Sequence, residues 1–427
     1  MERNALEDFG IKIKYYRTKA RMTQEELSRG IISVSYLSKI EGGVVNTSKE
    51  IRGLLCDKLK INPHFIENDQ MLHICLAWFK HLLDREVKKA KELYPQINDN
   101  INYVANIQLL NLLEIHKLHY YLLTNNKFEA DHQYATLLKV SKKFKGKNLF
   151  YWLKISGDYK YSKLLYSEAL YLYQEAEKKI HLEQIYFPME EKQNLYYLIA
   201  TTASKLRNSY ISIVYAEKTL EYYRSIYNLA RCAECHILLG ISYQRTNEPE
   251  KSIESFQYAA TIAKNTRQNK TLSLSYQNIG NHYSKMNKPE LAIDYFLKSY
   301  KLRREENTVK KITTISSLMK EYYSKGNVSH AKKWLKEGLE LSKSISPLES
   351  IYVYEFRVYK NLIIGFDDTF EELINDEVVP FLEEKQLDYE KNNYLKILAD
   401  YYFNNRKYKQ AAANYQNSLN VLTKYSK

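Results

Sequence analysis

Chain breakers are scarce in this sequence, with 12 glycines and 7 prolines spread over 427 residues. With so few helix-ending positions, and with no strand-rich, turn-rich stretches, the chain reads as all-α. Cysteine is sparser still, and four thiols in a chain of this length make no disulfide framework. No window approaches the roughly 18 uninterrupted apolar residues of a membrane span. The charged start, MERNALEDFGIKIK, has no apolar signal-peptide core, so a cytoplasmic protein with no membrane partner is expected. Catalytic signatures are missing as well. There is no phosphate-binding glycine-rich loop and no HExxH. Cys232-Ala233-Glu234-Cys235 is a lone CxxC inside a helical pattern with no second ligand pair, and His116 and His119 share a helix face without a third ligand. No metal, no cofactor, no catalytic residue and no enzyme activity are expected.

What is present begins with charge. Lys and Arg number 64 against 50 Asp and Glu, a net charge of +14 that points to an acidic partner such as nucleic acid. Tyrosine is abundant at 40 residues. Its ring buries a large area while its hydroxyl stays wet, which suits helix pairs stacked in a single layer. The length exceeds one ordinary domain.

The first sixty residues divide into short helices. Leu6, Phe9, Ile13 and Tyr16 give the first helix one apolar face, with Lys12, Lys14, Arg17 and Lys19 on the other. Thr23 and Glu26 form a capping box for the second helix, and Gly30 ends it. Ser33 caps a third helix, Val34 to Glu41. Leu37 and Ile40 point it into the core, while Val34, Ser35, Ser38 and Lys39 project outward. Small polar residues there let a backbone approach base edges in a major groove. Gly42-Gly43 closes this helix, and Thr47 or Ser48 caps a fourth with Ile51, Leu54, Leu55 and Leu59 inward. The run TQEELSRGIISVSYLSKIEGG resembles the helix-turn-helix of Xre/Cro-type repressors, with a turn one residue shorter than usual. By this resemblance Gln24 touches a phosphate or base, Ser35, Ser38 and Lys39 lie in or beside the major groove, and Arg17, Tyr36, Asn46 and Lys49 contact the backbone.

Behind this head the sequence repeats itself. Tyr243, Tyr283, Tyr322 and Tyr402 each precede a small residue by nine (Ser252, Ala292, Ala331, Ala411), and four residues later comes a large one (Phe256, Phe296, Leu335, Tyr415). The small residue lets helix B of a pair cross helix A closely, and the bulky one fills the next gap. The pattern, with Leu239-Gly240 and Ile279-Gly280 in helix A, is similar to tetratricopeptide repeats, although the period is 39 to 40 against the usual ~34. Longer helices or longer connections must absorb the difference. Weaker units are readable at about 106–144, 148–179, 190–225 and 350–384, which predicts eight or nine helix pairs in a right-handed superhelix. The expected division is a helix-turn-helix domain at 1–62, a linker helix at 63–80, and a repeat domain at 81–427 for sensing and oligomerisation.

An Xre-type head on a tetratricopeptide array resembles the RRNPP family of peptide-sensing transcriptional regulators, and its NprR-type members most. The resemblance implies double-stranded DNA and a short signalling peptide as partners, and a homodimer or higher homo-oligomer that places two heads on DNA. It places the peptide in the concave groove, where amide side chains clamp its backbone. Asn278 and Asn281 stand at the matching helix A positions, joined by Gln277, Gln244 and Lys320. Two alternatives stay open: an array that binds a response-regulator protein of a phosphorelay, and a repeat scaffold whose head does not bind DNA.

Overall fold

A computed structural model describes residues 9–10, 13–18, 20–61, 69–101, 104, 107–182, 187–303, 308–346 and 350–423. Leu6, Lys12, Lys19 and the expected start of the linker at 63–68 lie outside the described residues. The chain forms two compact units, one of residues 1–162 and 172–186, the other of 163–171 and 187–427.

The first unit opens with four short helices: α1 (9–10 and 13–18), α2 (Gln24–Ser28), α3 (Val34–Glu41) and α4 (Lys49–Leu59). The caps are those the sequence names. The Thr23 hydroxyl accepts from the Glu26 amide while the Glu26 carboxylate accepts from the Thr23 amide, Ser33 caps α3, and Ser48 rather than Thr47 caps α4. Leu54, expected inward, is instead 52% exposed, because α4 turns only Leu55 and Cys56 fully into the core. At Gly10 the backbone of α1 meets the end of α3, and a Cβ there would overlap the carbonyl oxygen of Ile40.

Residues 69–80 of the segment expected as a linker helix lie in α5 (Asp69–Leu83). It packs on α6 (Val87–Asn100), and the buried Trp78 indole donates to the Ala90 carbonyl at 3.0 Å. α7 (Ile107–Leu123) pairs with α8 (Lys127–Val140). α9 (Gly146–Ser162) meets the end of α10 (Tyr166–Leu182) through Tyr173, whose ring lies against Gly157 and whose hydroxyl donates to Asp158 at 2.7 Å. One apolar cluster runs from Phe9, Leu27, Leu37 and Ile40 of the head to Trp78, Leu110 and Leu113 of the first pairs. Head and first pairs therefore share a core.

The second unit stacks α11 (Met189–Lys205), α12 (Ser209–Ser225), α13 (Leu229–Arg245), α14 (Pro249–Asn265), α15 (Asn269–Lys285), α16 (Pro289–Leu302), α17 (Thr308–Ser324) and α18 (Val328–Ser342) as successive A and B helices. α19 (Ile351–Ile364) follows, paired with an irregular B helix made of α20 (Phe370–Glu372), a π-helical stretch Leu373–Val378 and α21 (Val379–Glu384). α22 (Asp388–Asn404) and α23 (Tyr408–Thr423) form the last pair. The described residues thus hold nine helix pairs behind the head, a tetratricopeptide-type repeat fold.

The long period has a simple origin. Each of α11 to α15 is 17 residues long, and the turns between them stay short, with a left-handed residue at Arg207, Tyr227, Asn247, Arg267 and Asn287. Longer helices, not longer connections, add the extra residues. Pro249 and Pro289 stand at the first positions of α14 and α16, where a missing N–H costs least. Ser252, Ala292 and Ala331 are fully buried at the crossings, and the Ser252 hydroxyl donates to the Gly240 carbonyl at 2.9 Å. Gly240 and Gly280 face the rings of Phe256 and Phe296, where an added Cβ would come within 2.5 Å. The Gly157–Tyr173 contact repeats this glycine-to-aromatic spacing in α9 and α10, a match the sequence contains but the repeat reading passed over.

Candidate functional site

Two regions bring polar side chains together. The first is the outer face of α3. Val34, Ser35, Ser38 and Lys39 are exposed in one stripe, while Leu37 and Ile40 are buried on the opposite side. Tyr36 is half-buried and its hydroxyl donates to the Asn46 carbonyl at 3.3 Å. The Asn46 side-chain oxygen accepts from Arg52 at 2.6 Å, and the residue is exposed. Lys49 is exposed in the first turn of α4.

Beneath that face lies a buried polar knot that sequence reasoning missed. Glu41, 4% exposed at the end of α3, accepts from Arg17 Nε at 2.6 Å and Nη2 at 2.9 Å, and from Gln24 Nε2 at 2.8 Å. Arg17 Nη1 donates to the Met22 carbonyl at 2.9 Å. The hydrogen bond to Glu41 raises the Arg17 guanidinium above its ordinary value against the opposing effect of burial. One carboxylate thus ties α1, α2 and α3 together. The signal was the glutamate of Ile40-Glu41-Gly42, an acid placed where the apolar stripe of α3 faces inward. Arg17 is turned inward as a result, and Gln24 has its amide nitrogen engaged while it remains half-exposed.

The second region is the line of A helices in the second unit. α11 touches α13, α13 touches α15, α15 touches α17 and α17 touches α19, so their faces form the inside of the stack. Polar cross-links join them. Gln277 Nε2 donates to the Ser317 hydroxyl at 2.8 Å, and the Ser284 hydroxyl donates to Glu321 at 2.6 Å. Lys320 pairs with Glu355 at 3.0 Å, and Ser316 donates to the same carboxylate. Burial works against the Lys320 charge, but Glu355, with Tyr359 and Tyr352, holds the ammonium above its usual range. Of the expected residues, Asn278 is nearly buried and its amide nitrogen bonds back to the Leu274 carbonyl at 3.0 Å. Asn281 and Gln244 are half-buried. The Gln244 amide nitrogen and the Gln277 amide oxygen are buried without a hydrogen-bond partner, one donor and one acceptor. Glu321 and Glu355 escaped the sequence reading because their roles arise only when helices 35 to 39 residues apart lie side by side.

Elsewhere, Cys232 and Cys235 are buried, and burial pushes both thiols up. Among the described residues no helix is long and apolar enough to cross a membrane, and no group of three or more His, Cys, Asp or Glu is placed to hold a metal.

A family model described as helix-turn-helix matches residues 13–66, and one described as tetratricopeptide repeat matches residues 274–306. The transcriptional activator NprA of Geobacillus stearothermophilus is 31% identical over 403 residues, 93% of this chain and 98% of that protein. Response regulator aspartate phosphatase A of Bacillus subtilis (strain 168) is 27% identical over 241 residues, 55% of this chain and 63% of that one. Among solved structures, a Rap protein complexed with competence and sporulation factor matches with a TM-score of 0.72 at 19% identity, over 84% of this chain and 99% of that chain, which is a likeness of fold.

Proposed function

Because this chain belongs to the RRNPP family of peptide-sensing transcriptional regulators, we propose that it binds DNA through α3 and is switched by a short peptide held along the A helices of the second unit. The observation that carries the DNA half is the exposed stripe of Val34, Ser35, Ser38 and Lys39 on a helix clamped from behind by Glu41. Small side chains bring that backbone close to base edges. Gln24, Tyr36, Asn46 and Lys49 flank the stripe and contact phosphates. Arg17 acts indirectly, by holding Glu41 and with it the seating of α3. Lys39→Glu is expected to weaken binding to an operator fragment by about tenfold or more, and to flatten the dependence of affinity on salt. Anisotropy titrations at several salt concentrations check this, and an unchanged affinity would overturn the role of α3.

The peptide half rests on the unsatisfied amides. A peptide backbone offers one acceptor and one donor per residue, which is what the Gln244 nitrogen and the Gln277 oxygen lack. Asn281, half-buried and within 3.4 Å of Gln277, adds a second amide to the same place. Asn278 and Lys320 hold the wall through Leu274 and Glu355. In this reading the peptide shifts a pre-existing equilibrium between arrangements of a homodimer, and so alters how two heads sit on DNA. Asn281→Ala should weaken peptide binding by about tenfold. Calorimetry with a short peptide that the wild type binds reads this directly, and an unchanged dissociation constant would remove Asn281 from the site.

The protein works in the cytoplasm and carries no catalytic step in this reading. Similarity to a response regulator aspartate phosphatase supports a second role, in which the array also binds a response-regulator protein. Pull-down of such a partner with the wild-type chain and with Lys39→Glu separates the two roles, since only DNA binding should respond to the substitution.

A further inference from the structure

Three successive A helices in the second unit end on a basic residue: α11 on Lys205, α13 on Arg245 and α15 on Lys285, each 40 residues after the last. Arg207, in the turn after α11, joins them. Basic residues at helix C-termini ordinarily gain from the helix dipole, which would favour their charge. Here the balance runs the other way. Arg245 is lowered to about 10, first by burial and then by Arg207, against a smaller pull from Glu390 and Tyr389. Lys205 is lowered by burial and then by Arg245, and Lys285 by burial, Arg207 and Arg245.

The geometry agrees. The side chains of Lys205 and Lys285 are exposed at the ends of α11 and α15, and α13 touches both helices, which sets Arg245 between them. Neither makes a hydrogen bond or ion pair among the described residues. Arg245 donates only to Ser204, at its carbonyl and, at 3.4 Å, its hydroxyl. The Arg207 guanidinium lies 3.1 Å from the ring centroid of Tyr389, at the start of α22. The guanidinium makes no side-chain hydrogen bond among the described residues, so its N–H groups can meet a planar acceptor. Among the described residues Glu390 is the one carboxylate acting on Lys205 and Arg245. Repeating a cation at one position on adjacent helices costs the free protein stability, and a bound anion would remove that cost.

We propose that Lys205, Arg207, Arg245 and Lys285 form a carboxylate-binding subsite of the A-helix trough. Resting on the peptide reading above, the carboxylate belongs to an acidic side chain or to the free C-terminus of the bound peptide. The pairing suits a guanidinium edge and two ammonium groups around a planar anion.

Two synthetic heptapeptide pools test this on the full chain, one with a single Asp and a free C-terminus, the other with Asn in its place and a C-terminal amide. The wild-type protein should retain the first pool about tenfold better, and Lys205→Met/Lys285→Met should lose that preference while still retaining the neutral pool. Equal retention of both pools by the wild type would overturn the proposal. Citrate is an independent probe. It should raise the melting temperature of the wild type and leave that of the double variant unmoved, and no rise in the wild type would overturn the subsite. If citrate stabilises the protein but neither pool is retained, the peptide reading falls and the subsite takes a small organic acid. Because removing two crowded charges relieves repulsion, the double variant should melt no lower than the wild type, and a lower melting temperature would sink the account of unbalanced charge.

Discussion

Replacing Gly10 with valine is expected to dismantle the N-terminal head. A Cβ at this position meets the backbone of α3 rather than a side chain that could rotate away, since the Ile40 carbonyl oxygen occupies the space. Relief requires α1 and α3 to separate, which uncovers Leu37 and Ile40. Overpacking of this kind costs about 3 kcal/mol or more. Gly10→Val should therefore lower the first transition in chemical denaturation and abolish operator binding, with Gly10→Ala intermediate. If Gly10→Val melted within about one degree of the wild type, the close approach of these helices would be wrong.

Substituting Arg17 with methionine should have the next largest effect. Glu41 would keep Gln24 as a partner but lose both bonds to the guanidinium while remaining almost wholly buried. A buried carboxylate stripped of its cation costs about 3 kcal/mol, more than an exposed pair of the same geometry would. Removing both members should restore much of that loss, because the uncompensated charge is what destabilises. Denaturation of Arg17→Met, Glu41→Leu and the double variant measures the coupling. A double variant no more stable than Arg17→Met alone would show that the ion pair does not seat α3. DNA affinity should follow the same order, although Arg17 itself touches no DNA in this reading.

The head was readable from sequence because its signals are local. Thr23, Ser33 and Ser48 act within three residues of themselves, and the inward and outward faces of α3 follow from Leu37, Ile40, Ser35 and Ser38 alone. The repeats were readable for a related reason, since Ser252, Ala292 and Ala331 recur in register at crossings that all have the same geometry. What escaped was long-range. Nothing near Glu41 in sequence announces Arg17, and Leu54 looks like its buried neighbour Leu55 until the rotation of α4 is known. The partner of α5 was not legible either, since its packing on α6 shows only once Trp78 is seen to reach the Ala90 carbonyl. The basic helix ends at 205, 245 and 285 were visible as letters, but their crowding appears only when 17-residue helices bring them side by side.

The continuous core from Phe9 to Leu113 has one more consequence. A reading head mounted on a tether would search for its half-site independently and tolerate operators of varied spacing. This one shares its core with the first helical pairs, like a blade seated in its handle, and should move with them. In a dimer that held those first pairs fixed, the gap between two recognition helices would be set by the protein and not by the DNA. Inserting or removing five base pairs between half-sites, half a helical turn, should cost nearly all cooperative binding, while ten should cost far less.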